Sequence, residues 1–344
     1  MPVMRRVANP PNPFHEARVE LEVLAPEARL EVYEQETKSA LSKNDSPDIG
    51  FTWSVNPYRG CFHACAYCYA RPSHQYLGFG AGTDFDRKIV VKTNIAERLR
   101  AAFEKKSWTG ETVVFSGNTD CYQPLEASYE LTRACLEVCV EYRNPVSMIT
   151  KSKLVRRDVD LLARLTEEAA CCVTISVPFA DDAMARAIEP NASPPSKRLE
   201  TVRILAEAGV DVGVSLGPII PGLNDDQILP VLERAAEAGA KHAFPILLRL
   251  PKEVRPVFEQ RLEEAYPLRA DKVRSAIRQM RDGKLNDARF GQRMRGSGPR
   301  WAIIEELFTK QARRLGLRRR QVGRELNVST FRRPPKQRAQ LDLF

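Results

Sequence analysis

Between residues 51 and 250 the chain keeps one beat, a short β-branched or apolar run followed by an amphipathic helical stretch. The runs are "FTWSVNP" at 51, "TVVFSG" at 112, "PVSMITKS" at 145, "CCVTISVPF" at 171, "VDVGVSLGPII" at 210 and "HAFPILLRL" at 242. Between them, Leu131, Cys135 and Cys139 fall on one helical face, and Val155, Val159, Leu162 and Leu165 on another. Strands separated by helices pair in parallel, because each connection must cross back over the sheet. About six such units predict an α/β fold closing as a barrel or a partial (βα)6 TIM-like barrel, with its chemistry at the carboxyl ends of the strands.

Around that barrel the composition changes. Residues 1–45 alternate proline-rich and acidic segments and read as an N-terminal extension with little structure of its own. The core barrel spans 46–265. A helical addition covers 266–320, with helices expected around Ala270–Met280 and Trp301–Leu315, and 321–344 form a basic tail expected to lack a fixed fold alone. From Arg313 onward there are ten Lys/Arg and two Asp/Glu, so most of the +9 net charge sits at that end, an arrangement suited to a polyanion. The longest uncharged run, 212–224, is too short for a membrane helix. Eight cysteines without a secretory leader argue for a reducing compartment, and the cytoplasm is expected.

Three of those cysteines crowd into "GCFHACAYCYARPSH", as Cys61, Cys65 and Cys68. Thiolates select zinc or iron–sulfur clusters. Structural zinc wants four protein ligands, and the next thiol, Cys121, lies more than fifty residues on. His63 is the local alternative for a zinc site. Three thiolates also suit a four-iron cluster with one iron left open to another ligand. Cys135, Cys139, Cys171 and Cys172 read as helix and strand core. Arg59, Arg71 and His74 flank the loop, open either to an anionic substrate or to a solvated rim.

The spacing Cys-x3-Cys-x2-Cys, with Tyr67 before the last cysteine, resembles the signature of the radical S-adenosylmethionine enzymes. Together with "SGNTDCYQPLE" (116–126), "ITKSK" (149–153), "TISVP" (174–178) and "PIIPGLND" (218–225), it resembles the spore photoproduct lyase-like branch, in its group not confined to spore formers. The resemblance implies a [4Fe-4S] cluster on the three cysteines, S-adenosylmethionine on its open iron, and a reducing partner such as flavodoxin or ferredoxin. It further implies that Tyr67 meets the adenine and that Ser116, Gly117, Asn118, Thr119 and Asp120 lie along the methionine. Lys151 would pair with the carboxylate, and Ser176 would reach the methionine or ribose. In spore photoproduct lyase a cysteine ends the second strand and returns a hydrogen atom; the aligned position here is Gly117. Cys121, four residues on, is the candidate to replace it, or else a small buried hydrophobe.

The last five residues, Gln340, Leu341, Asp342, Leu343 and Phe344, resemble the short peptide by which bacterial repair proteins dock on the sliding clamp. The expected activity is cleavage of S-adenosylmethionine followed by attack on a nucleic-acid base, DNA or RNA, with lesion repair as one outcome. Two rivals stand beside it: modification of transfer RNA or a small metabolite, and a non-catalytic iron–sulfur or zinc module that binds nucleic acid.

Overall fold

The computed structural model describes residues 29–319 and 329–335. Its strands are β1 (Glu31–Gln35), β2 (Leu41–Lys43), β3 (Trp53–Val55), β4 (Tyr58–Arg59), β5 (Lys88–Lys92) and β6 (Val113–Phe115). They continue with β7 (Val146–Thr150), β8 (Cys171–Ser176), β9 (Val212–Ile219), β10 (His242–Leu247) and β11 (Arg318–Arg319). The six predicted strands β3, β6, β7, β8, β9 and β10 pair in parallel and in chain order, forming the arc of a partial barrel. β2 adds antiparallel to β3, and β11 adds parallel to β10. Those two strands remain the edges of the sheet, so the barrel stays open.

Burial explains the beat. β8 hides all six residues of "CCVTIS", as a strand must when helices cover one face and the barrel interior the other. The helix Ile95–Glu104 turns Ile95, Leu99 and Phe103 inward at four-residue spacing, each contributing about 1.5–3 kcal/mol through burial. Cys135, Cys139, Cys171 and Cys172 lie in the core as expected.

The N-terminal extension departs from expectation. β1 pairs in parallel with β5, and β4 pairs antiparallel with the same strand, making a second, three-stranded sheet. All five β1 residues are exposed, so no apolar alternation marks it. Its order comes from the ladder that the buried strand β5 offers. Farther along, Asp48 accepts hydrogen bonds from Arg293 Nε at 2.7 Å and from Gly291 N at 3.3 Å, tying this end to the segment near residue 290.

The helical addition appears as Ala270–Gln279 and Gly298–Arg314, close to the predicted limits. The basic tail also holds a surprise: residues 329–335 lie back on the barrel. Phe331 packs 5.9 Å from the Phe103 ring and 6.1 Å from Tyr142. Thr330 Oγ1 donates to Ala169 O at 2.6 Å, and Arg333 donates to the carbonyls of Phe103, Lys105 and Trp108. Gly110 is required here, since its φ is +83° and a Cβ would stand 2.1 Å from Phe331 Cβ. Residues 110 and 169 precede β6 and β8, so this strap covers the amino ends of the strands. Phe331→Ala should lower the unfolding free energy by about 2 kcal/mol in urea titration, a part of the full Phe-to-Ala cost because the ring is only half-buried.

Candidate active site

The cysteine loop leaves β4 through Gly60, whose φ is +78° and where a Cβ would stand 3.0 Å from Lys88 O and Phe85 O. Cys61 N donates to Phe85 O at 2.9 Å, and Ala66 N to Ile188 O at 3.0 Å. At the centre of the loop lies Arg71, fully buried rather than facing a substrate or the rim. Its guanidinium donates to Cys65 O (3.1 and 2.9 Å), Ala81 O (3.1 Å), Gly82 O (2.9 Å) and Asp86 Oδ1 (2.9 Å). One cation therefore holds the backbone between two of the cysteines. His74 is likewise buried, against Phe79 and Phe85.

Cys61, Cys65 and Cys68 are free thiols on the wall of one cavity of about 340 Å³. Burial first, and then the neighbouring thiol charge, pushes Cys68 up to about 11; burial drives Cys65 well above the usual thiol range. Enclosed thiols that resist ionisation in each other's company suit a cationic centre that would take up their charge. The donor set thus fits an iron–sulfur cluster. His63 Nδ1 sits 3.3 Å from Asp120 Oδ2; burial opposes its charge, but Asp120 and Cys61 carry it up to about 10.

The carboxyl ends of the strands supply the rest of the wall. Ser116, Gly117, Asn118, Thr119 and Asp120 follow β6, Lys151 follows β7, and Ser176 ends β8; all of them, with Tyr67, line the cavity. Asn118 N donates to Asn56 Oδ1 at 2.9 Å, and Thr119 Oγ1 donates to Gly60 O at 2.6 Å, joining this turn to the cysteine loop. Ser116 has φ +74°, a strained conformation for a residue with a Cβ. Lys151 Nζ donates to Ser176 Oγ at 3.0 Å and lies 5.6 Å from the Tyr67 ring.

Asp120 is heavily engaged within the chain. It accepts from Tyr122 N (2.9 Å), Thr150 Oγ1 (2.7 Å) and Lys151 N (2.8 Å), besides its pairing with His63. Burial alone would raise its pKa, but His63 and these donors bring it down to about 2. It ties the ends of β6 and β7 together, positioning the Lys151 backbone.

Cys121 does not face the cavity. It is fully buried in the main core, its N–H donating to Ser116 Oγ at 2.9 Å and its carbonyl accepting from Thr132 Oγ1 at 2.6 Å. The turn capped by Asp120 swings the chain inward at this residue. The expected hydrogen donor is a core thiol, leaving Cys61, Cys65 and Cys68 as the cavity's thiols among the described residues.

The structure also recruits residues that sequence reasoning missed. Ser215 on β9, Arg249 after β10 and Trp301 line the cavity, yet no local pattern marks them. At the opposite ends of the strands, Cys172, Asp211 and His242 bring one potential ligand atom each within 4.8 Å of one another. Gly213 makes room there, since a Cβ would stand 2.4 Å from the His242 ring.

Residues 55–235, just over half the chain, match the Radical SAM superfamily. An uncharacterized protein of Mycobacterium tuberculosis is 37% identical over 244 residues, covering 70% of this chain and 72% of its own. One from Methanocaldococcus jannaschii is 27% identical over 247 residues, covering 72% and 89%. Among solved structures, a spore photoproduct lyase complexed with dinucleoside spore photoproduct superposes with a TM-score of 0.59 at 17% identity, covering 83% of this chain and 81% of that one. At that identity the likeness is one of fold.

Replacing Arg71 by Met would leave Asp86 buried without its bonded guanidinium and Cys65 O with only Cys68 N as donor. Urea unfolding of the cluster-free protein should show a loss of about 3–5 kcal/mol, partly recovered by adding Asp86→Leu.

Proposed function

Because the chain belongs to the radical SAM superfamily, we propose that it cleaves S-adenosylmethionine reductively and turns the resulting radical on a nucleic-acid base. The observation that carries this reading is the convergence of Cys61, Cys65 and Cys68 with the strand-end residues 116–120, Lys151 and Ser176 on one cavity. When bound, a [4Fe-4S] cluster supplies the electron and S-adenosylmethionine supplies a 5′-deoxyadenosyl radical, while the protein orients and shields both.

The three cysteines would hold the cluster, and Arg71 keeps their loop in shape. Lys151 carries the positive charge that complements the methionine carboxylate, with Ser176 beside it for the same group or the ribose. The turn 116–119 would lie along the methionine, and Tyr67 would meet the adenine. Asp120 acts through the scaffold, holding Lys151 N in place. Support for a nucleic-acid base comes from the basic charge of the chain and from the dinucleoside bound by a protein of the same fold. A base within a duplex must be extruded to reach so enclosed a centre, at a cost of a few kcal/mol. Flavodoxin or ferredoxin would deliver the electron.

Anaerobic reconstitution with iron and sulfide, then dithionite and S-adenosylmethionine, should yield about four iron per chain and 5′-deoxyadenosine. Cys65→Ala should abolish both. Intact cluster without 5′-deoxyadenosine would defeat the reading, and mass spectrometry of nucleosides from irradiated DNA, intact DNA and RNA identifies the substrate. Gln340–Phe344 lie outside the described residues; we assign them to docking on the sliding clamp. Their deletion should weaken clamp binding at least tenfold in surface plasmon resonance, and unchanged affinity would refute the assignment.

A further inference from the structure

Just beyond the end of β10 the cavity wall carries a guanidinium that makes no ion pair among the described residues. Arg249, just beyond β10, is half-buried. Its Nε is enclosed and meets no acceptor. Its other contacts are soft ones, Nη1 to Met294 Sδ at 3.4 Å and the guanidinium 5.7 Å from the Tyr69 ring. The neighbouring carboxylate, Asp48, is already held by Arg293 through Nε and Nη2. Burial, and next the charge of Arg293, lowers the proton affinity of Arg249. Arg295 lines the same cavity from its exposed side.

A second observation points the same way. Trp301, 4% exposed, also lines the cavity, and its indole Nε1 is buried without a partner. An indole nitrogen can only donate. Leaving such a donor unmet costs about 1–3 kcal/mol, and enclosing an unpaired guanidinium costs more. Both groups are donors, and both belong to residues that line the cavity. An acceptor-rich anion arriving in the cavity would satisfy them together, and a planar guanidinium matches a phosphate through two parallel bonds.

We propose that Arg249, with Arg295 at the solvent side, is an anion subsite that takes a phosphate of the substrate, with Trp301 Nε1 donating to an acceptor on the same molecule. The substrate is then a base still carried on its phosphodiester backbone, and a free nucleoside is a poor one. This rests on the nucleic-acid reading above and adds to it the group that recognises the backbone.

The test uses the reconstituted protein with S-adenosylmethionine and two probes, a thymidine dinucleotide with its natural phosphodiester and the same dinucleotide with an uncharged methylphosphonate. Titration calorimetry should show the charged probe bound about tenfold more tightly, a difference of about 1.4 kcal/mol. Arg249→Gln should reduce that preference to about twofold or less, while Arg249→Lys, which keeps the charge but not the fork, should retain an intermediate preference. Trp301→Phe should weaken both probes by a similar factor. Equal binding of the two probes by the unaltered protein, or an unchanged preference in Arg249→Gln, would overturn the subsite; unchanged binding in Trp301→Phe would remove the indole from it. Should 5′-deoxyadenosine form normally in the same preparation, such a failure counts against the subsite alone and leaves the radical chemistry standing.

Discussion

One buried guanidinium sets the terms for the whole site. Arg71 has no exposure to water, and its donors are shared among Cys65 O, Ala81 O, Gly82 O and Asp86. A loop carrying three cysteines within eight residues has no regular backbone ladder, only single turns such as Cys68 N to Cys65 O, so further donors must come from side chains. Arg71 provides them from inside the same segment, and β5, fixed by its neighbours β1 and β4, stands behind it. The small second sheet is thus part of the site's support, though none of its strands carries a reacting group.

A second division runs along the barrel. At the carboxyl ends, side chains such as Asp120 and Asn56 are committed to holding turns, while Lys151, Ser176, Arg249 and Trp301 are among the polar residues that line the cavity. At the amino ends the chain seals itself, with Phe331 set among Phe103 and Tyr142. The two ends of the sheet are therefore specialised in opposite senses, one for exposure of polar groups and one for closure.

Much of this was legible in the chain itself. The parallel strands announced themselves because both faces are covered, which forces continuous apolar runs. The cysteine spacing was legible because its three thiols are local in the chain. What escaped notice depends on distant pairing. β1 is exposed at every residue and has meaning only beside β5. Arg71 resembles any loop arginine until its carbonyl partners at 81 and 82 are known. Cys121 lies one residue beyond the cavity wall, and only the inward turn after Asp120 separates a reactive thiol from a packed one. Phe331 comes from a segment with no periodic signal, recruited by contacts more than a hundred residues away, and Trp301 opens a predicted helix whose pattern does not reveal that it lines the cavity.

The unclosed sheet has a consequence for the cavity wall. Its edges, β2 and β11, are not paired with each other, so strands alone cannot enclose the interior. Loops make up the difference: Asp48, on one side, and Met294 and Arg295, on the other, are part of the wall. The Asp48–Arg293 ion pair joins those two loops, doing by charge what a further strand would have done by its ladder.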